Sequence, residues 1–144
     1  MSTTFDPTRP DQRKAIDLLE SRTIAWLTWV GQDAAPHGVP VWFLWHDGRV
    51  VVFSEPGTAK VAAVRRGSPL LVHLETGAFG NEVVILNGAA EISDRDAASW
   101  LAEFRERYEW KYAAAIADFG MPLDDITTQY SAVVVFTPQT ILTW

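Results

Sequence analysis

His37-Gly38-Val39-Pro40-Val41-Trp42-Phe43-Leu44-Trp45-His46-Asp47-Gly48-Arg49-Val50-Val51-Val52-Phe53-Ser54 (37–54) is the stretch that decides the fold. Asp47-Gly48 is a two-residue hairpin signal, so HGVPVWFLWH (37–46) and RVVVFS (49–54) read as paired strands. The first strand is apolar on both faces, with Val39, Val41, Phe43 and Trp45 on one and Pro40, Trp42 and Leu44 on the other. In a small, mostly antiparallel protein such a strand is covered twice, by a barrel interior and by a partner subunit. Pro40 has no N–H for a ladder. Two readings stay open for it: a bulge or barrel edge, or a backbone from Gly38 to Trp42 that faces a planar ligand.

Further strand-like runs lie on either side: TIAWLTWV (23–30), PLLVHLE (69–75), EVVILNGAAEIS (82–93), SAVVVFTP (131–138) and TILTW (140–144). Helices are expected over 10–21, over 59–66 and from Ser93, where S-D-R-D resembles a capping box. The apolar face of that last helix is Ala97, Leu101, Phe104, Tyr108 and Tyr112. Asp118, Asp124 and Asp125, near Gly120 and Pro122, read as a solvated loop. The elements lack the regular βα alternation of a parallel sheet. They predict a mainly β fold: a six- to seven-stranded barrel with helices packed outside.

The 144 residues fit one domain, 1–144, and can bury a core without staples. Absence of cysteine excludes disulfides and thiolate metal sites. His37, His46 and His73 lack metal-ligand spacing, so no metal is expected. With a charge of −6 and pI near 4.9, nucleic acid is not an expected partner. The start, MSTTFDPTRPDQRK, shows no leader-like run, and no stretch approaches the ~18 apolar residues of a membrane span. A cytoplasmic location is expected. Seven tryptophans and seven phenylalanines are many for so small a domain, and two readings stay open: a large aromatic core, or surface buried by a second subunit or a flat aromatic cofactor.

Within this acidic chain, SEPGTAKVAAVRRGSP (54–69) carries three cations and one acid. Arg65 and Arg66 suit the end of a short helix capped by Thr58 and stopped by Gly67. Lys60 does not, because it falls in the first turn, where the helix dipole disfavours a cation. A phosphate there would explain it, with Ser54, Thr58 and Lys60 as side-chain donors; a solvated lysine is the alternative. No G-x-S-x-G, Rossmann or Walker motif and no triad is present, so no catalytic side chain is assigned. A protein that holds a phosphate without such groups leaves the chemistry to its cofactor.

The order strand–turn–VPVWFLW–HDGRVVVFS–xxxxxK–helix–RRGSPLLVHL resembles the pyridoxamine 5′-phosphate oxidase-like split β-barrels. It is most similar to their short actinobacterial branch that uses the deazaflavin coenzyme F420. The resemblance runs from Arg22 to Trp144, carried by "VPVWF", the Ser54-to-Lys60 spacing and "RRGSPLLVHL". It implies a homodimer with two cofactor sites at the interface. Gly38, Val39, Pro40, Val41 and Trp42 would lie beside the ring, and Ser54, Thr58 and Lys60 near the phosphate. It also implies hydride transfer to an unsaturated small molecule. Two departures stand out. Ala63-Val64 replaces an Asn-Leu or Asn-Ile pair, and Thr58 stands where many members have arginine, leaving Arg65 or Arg66 to complete the grip. His37-Gly38 replaces the arginine through which true pyridoxamine phosphate oxidases hold FMN. FMN remains the alternative cofactor, and a non-catalytic flavin carrier the alternative role.

Overall fold

The computed structural model describes residues 5–144; residues 1–4, the start of the stretch read as leaderless, lie outside them. Its elements are α1 (Pro10–Ser21), β1 (Ala25–Val30), β2 (Pro36–Val41), β3 (Leu44–His46), β4 (Arg49–Ser54) and α2 (Ala59–Arg65). β5 (Leu70–Leu74), β6 (Val84–Ile92), α3 (Ala97–Phe119), α4 (Leu123–Gln129) and β7 (Ala132–Thr143) follow. Every strand pairing is antiparallel, in the order β2-β1-β5-β6-β7-β4-β3. The two edge strands, β2 and β3, are therefore neighbours in sequence, joined only by Trp42 and Phe43. A sheet whose opposite edges are two residues apart must curl, and this one forms a seven-stranded split barrel with four flanking helices.

The expected hairpin is present, with His46 opposite Arg49. Asp47 and Gly48 both take positive φ, 52° and 72°, the two left-handed residues of a type I′ turn. The expected strand 37–46, however, is two strands. Phe43 leaves the ladder because side chains from α3 satisfy its backbone: its N–H donates to Tyr112 Oη at 2.7 Å, and its carbonyl accepts from Lys111 Nζ at 2.8 Å. Tyr112 also reaches the Thr23 carbonyl at 2.7 Å, so one hydroxyl ties the split to the entry of β1.

The predicted division of faces survives that break. Phe43 is in the core formed by β1, β4, β5, β6 and β7 with α1 and α2, and Val39, Val41 and Trp45 pack against it. Leu44 belongs to a second core under α3 and α4, against which Trp42 packs. The strands buried on both faces are β4 and β7: Val50, Val52, Val134 and Phe136 enter the first core, Val51, Val133 and Val135 the second. β2 is not covered twice in the single chain; His37, Gly38 and Pro40 are exposed.

Three further expectations change. α3 is capped by Asp96, which accepts from the Ser99 N–H at 2.9 Å, rather than by Ser93. Ser93 Oγ instead takes the Trp100 indole N–H. The apolar face from Ala97 to Tyr112 is buried as expected. The loop around Asp124 and Asp125 is the first turn of α4, where acids complement the dipole. Finally, 131–138 and 140–144 are one strand. Pro138 is accommodated because the β6–β7 register shifts between Asn87 and Gly88, where the ladder is already irregular. Among the described residues no helix is long and apolar enough to cross a membrane.

Candidate functional site

The curl brings the end of β2 to the foot of α2 and under α3 and α4. There a cavity of about 220 Å³ opens, lined by Pro40, Val41 and Trp42, by Phe53 of β4, by Lys60, and by Tyr108, Phe119, Ile126 and Tyr130. Four of the residues singled out in the sequence thus meet: Pro40, Val41, Trp42 and Lys60. Pro40 lies on an edge strand, the first of the two readings left open for it, and it also lines the cavity.

The remaining candidates lie around it. Gly38 is exposed farther along β2, opposite Thr28, and Val39 packs on the first core. Ser54 is buried, and its hydroxyl is engaged with the Glu55 carbonyl at 2.9 Å and Thr58 Oγ1 at 3.1 Å. Thr58 does precede the helix, but its side chain caps no N–H; it donates to the Glu55 carbonyl at 3.1 Å. These two hydroxyls fix the turn that presents Lys60. Arg65 and Arg66 are exposed at the far end of α2, and Arg66 reaches the Val30 carbonyl at 3.4 Å. Gly67 stops the helix as expected, with Ser68 N bonding Ala63 O and Gly67 N bonding Val64 O.

Lys60 is half-buried and makes no hydrogen bond or ion pair among the described residues. Burial pushes its ammonium below the usual lysine range, partly offset by the Glu55 carboxylate. Glu55 is itself held by Gln129 of α4 at 2.7 Å. A desolvated cation without a partner, beside aromatic walls, fits an anionic group on a flat ligand.

The walls are ordered by stacking. Trp42 lies nearly parallel to Tyr112, centroids 4.8 Å apart, and meets Phe119 edge-on at 6.0 Å. Phe53 stacks on Tyr108 at 5.3 Å. A second hollow of about 520 Å³, lined by Trp45, Arg107, Trp110 and Lys111 among others, shares no residue with the first. The histidines are tied separately: His37 to Asp33, His46 to Glu103, and His73 to the Leu74 carbonyl. Among the described residues no three His, Asp or Glu side chains gather as a metal site.

The sequence reading missed Phe53, Tyr108, Phe119, Ile126 and Tyr130 as lining residues. Tyr108 was visible only as part of a core face. The signal for α4 was present: Leu123, Ile126, Thr127 and Tyr130 stand at i, i+3, i+4 and i+7 just after Pro122.

Solved structures share this architecture. A conserved hypothetical protein, Rv2991, from Mycobacterium tuberculosis superposes with a TM-score of 0.74 at 19% identity, covering 94% of this chain and 88% of its own. A protein described as F420 reductase gives 0.64 at 16%, covering 88% and 94%. An FAD-binding protein from Mesorhizobium loti gives 0.62 at 16%, covering 90% and 88%. At these identities the likeness is one of fold. No curated protein matches the sequence. The family model described as pyridoxamine 5′-phosphate oxidase matches residues 12–144, nearly the whole chain, and with the split barrel in place the chain belongs to that flavin-binding family.

Proposed function

We propose that this protein is a homodimeric oxidoreductase that binds coenzyme F420 and passes a hydride to an unsaturated small molecule. The observation that carries the reading is Lys60, a half-buried cation without a hydrogen-bond or ion-pair partner among the described residues, lining an aromatic cavity beside a bare strand edge. Lys60 would hold the phosphate, and the backbone from Gly38 through Val39, Pro40 and Val41 to Trp42 the ring. Ser54 and Thr58 fix the turn beneath. Arg65 and Arg66 extend the positive field toward an acidic tail. The cofactor, when bound, supplies the hydride; the chain orients the reactants and excludes water.

The dimer has its own support. Ligand sites of this kind are usually ~300–1,000 Å³, whereas the cavity at Lys60 measures about 220 Å³ in one chain and lies next to an exposed edge. A second copy over β2 would complete the enclosure. On this reading residues 1–144 act as one unit in the cytoplasm. The similarity to an F420 reductase favours the deazaflavin. The match to pyridoxamine 5′-phosphate oxidase and the likeness to an FAD-binding protein support FMN as the second reading.

Titration of the purified protein with F420 and with FMN, followed by absorbance and light scattering, tests the proposal. The expected result is F420 binding by a species of about twice the 16.0 kDa chain mass. A monomer that binds cofactor fully removes the interface site. Tighter FMN binding under every condition transfers the assignment to FMN, and binding without turnover of any acceptor leaves a carrier.

A further inference from the structure

Tyr108 and Tyr112 stand one turn apart on α3, and their hydroxyls have opposite fates. Tyr112 Oη bonds the Phe43 N–H and the Thr23 and Phe43 carbonyls. The Tyr108 hydroxyl has no hydrogen-bond partner among the described residues, although its side chain is only 3% exposed. A buried tyrosine hydroxyl normally finds a partner. It is not among the sealed, unsatisfied buried atoms either, so it keeps some surface, and Tyr108 is one of the residues that line the cavity.

We propose that Tyr108 is a substrate-orienting residue whose hydroxyl donates a hydrogen bond to a carbonyl-type oxygen of a flat, otherwise apolar molecule in this cavity. The walls fix the molecule's character: Trp42, Phe53, Phe119 and Ile126 offer ring faces and methyl groups. Burial pushes the Tyr108 phenol far above the usual range, so it remains protonated and acts as a donor. An anionic group would prefer Lys60, which leaves a neutral acceptor for the hydroxyl. Tyr130 also lacks a partner for its hydroxyl, but it is half-buried, and water can satisfy it. The assignment rests on the cavity being the seat of a planar ring and its substrate; the test below needs no cofactor, so the two readings can fail separately.

Calorimetric titration of the cofactor-free protein with 2-acetylnaphthalene and with 2-ethylnaphthalene separates the oxygen from the ring. Tyr108→Phe should weaken the ketone about 2- to 13-fold, the range for one neutral hydrogen bond, and leave the hydrocarbon unchanged. Tyr130→Phe should change the ketone less than about twofold, and Tyr108→Phe should melt at the wild-type temperature. An unchanged ketone affinity, equal losses for both probes, or binding of neither probe to the wild type overturns the proposal. So does a lower melting temperature for Tyr108→Phe, which would reveal a structural partner for the hydroxyl.

Discussion

Trp42 and Phe43 are adjacent, yet they serve two regions that treat polar groups in opposite ways. At Phe43 the split in the barrel is closed: its N–H and carbonyl, with the Thr23 carbonyl, are all bonded to Tyr112 or Lys111. At Trp42 the cavity is open, and Lys60, Tyr108 and Tyr130 present an ammonium and two hydroxyls with no hydrogen-bond partner among the described residues. The first arrangement is what stability requires, since each unmet buried group costs about 1–3 kcal/mol. On the proposed function, the second keeps binding capacity in reserve for a ligand. Satisfaction of polar groups, more than burial or residue type, separates framework from site in this protein.

The largest expected effect breaks the closed side. Tyr112→Phe strands the Phe43 N–H and the Thr23 carbonyl, and should cost roughly 2–6 kcal/mol of unfolding free energy at 1–3 for each stranded group. Urea denaturation against Tyr108→Phe is the direct comparison. Similar losses in the two variants would erase the distinction between the tyrosines.

Next is the open side. Lys60→Ala should weaken cofactor binding by about 1.5–3 kcal/mol, the range for a charged hydrogen bond, while folding is spared because Lys60 has no partner to strand. Equal cofactor affinity in the two proteins would return Lys60 to the status of a solvated lysine.

Lys111 sharpens the contrast through pH. Burial pushes it down to about 7, although the Phe43 carbonyl and the Phe43 ring, 3.7 Å from Nζ, favour the charged form. Between pH 7 and the ordinary lysine range, the unfolded chain holds this proton and the folded chain has lost it. Unfolding then takes up a proton, so stability should rise with pH across that window, by at most about 1.4 kcal/mol per unit. Lys111→Met should flatten the rise; an identical slope in wild type and variant would place the titration elsewhere.

The smallest effect belongs to Arg66, exposed at the far end of α2. Arg66→Glu should weaken F420 by less than about 1 kcal/mol at low salt, less still at high salt, and leave FMN unaffected, because exposed pairs are weak and screened. Dissociation constants for both ligands at two salt concentrations check it. A matching loss for FMN would remove the acidic-tail reading.

Much of this fold was legible because its signals are local. Asp47-Gly48 announced a hairpin and with it β4, a short apolar run gave β5, and Gly67 marked the end of α2. Lys60 was conspicuous because it occupies the wrong end of a helix dipole. The break at 42–43 was hidden because both residues are apolar and the groups that replace the ladder come from Tyr112, 69 residues away. The continuity of β7 across Pro138 depends on an irregularity in the neighbouring strand, which Pro138 itself does not signal. Tyr108 shares its spacing with the core tyrosine Tyr112. Only the absence of a partner tells them apart, and that is a property of three-dimensional surroundings.

The strand order carries a consequence for how the molecule is made. The β1–β2 and β3–β4 hairpins join near neighbours and can form on the microsecond scale. Neither closes the barrel. β7 pairs with β6 on one side and β4 on the other, with Ser54 opposite Ala132 and Val50 opposite Phe136. During synthesis every earlier strand emerges before this one, so the nascent sheet carries raw edges on β4 and β6 until residues 132–143 arrive. Those edges, rich in valine and isoleucine, are templates for pairing with other chains. Slow translation ahead of β7 would lengthen that exposure, and the yield of soluble protein would then be set by how quickly its twelve residues insert.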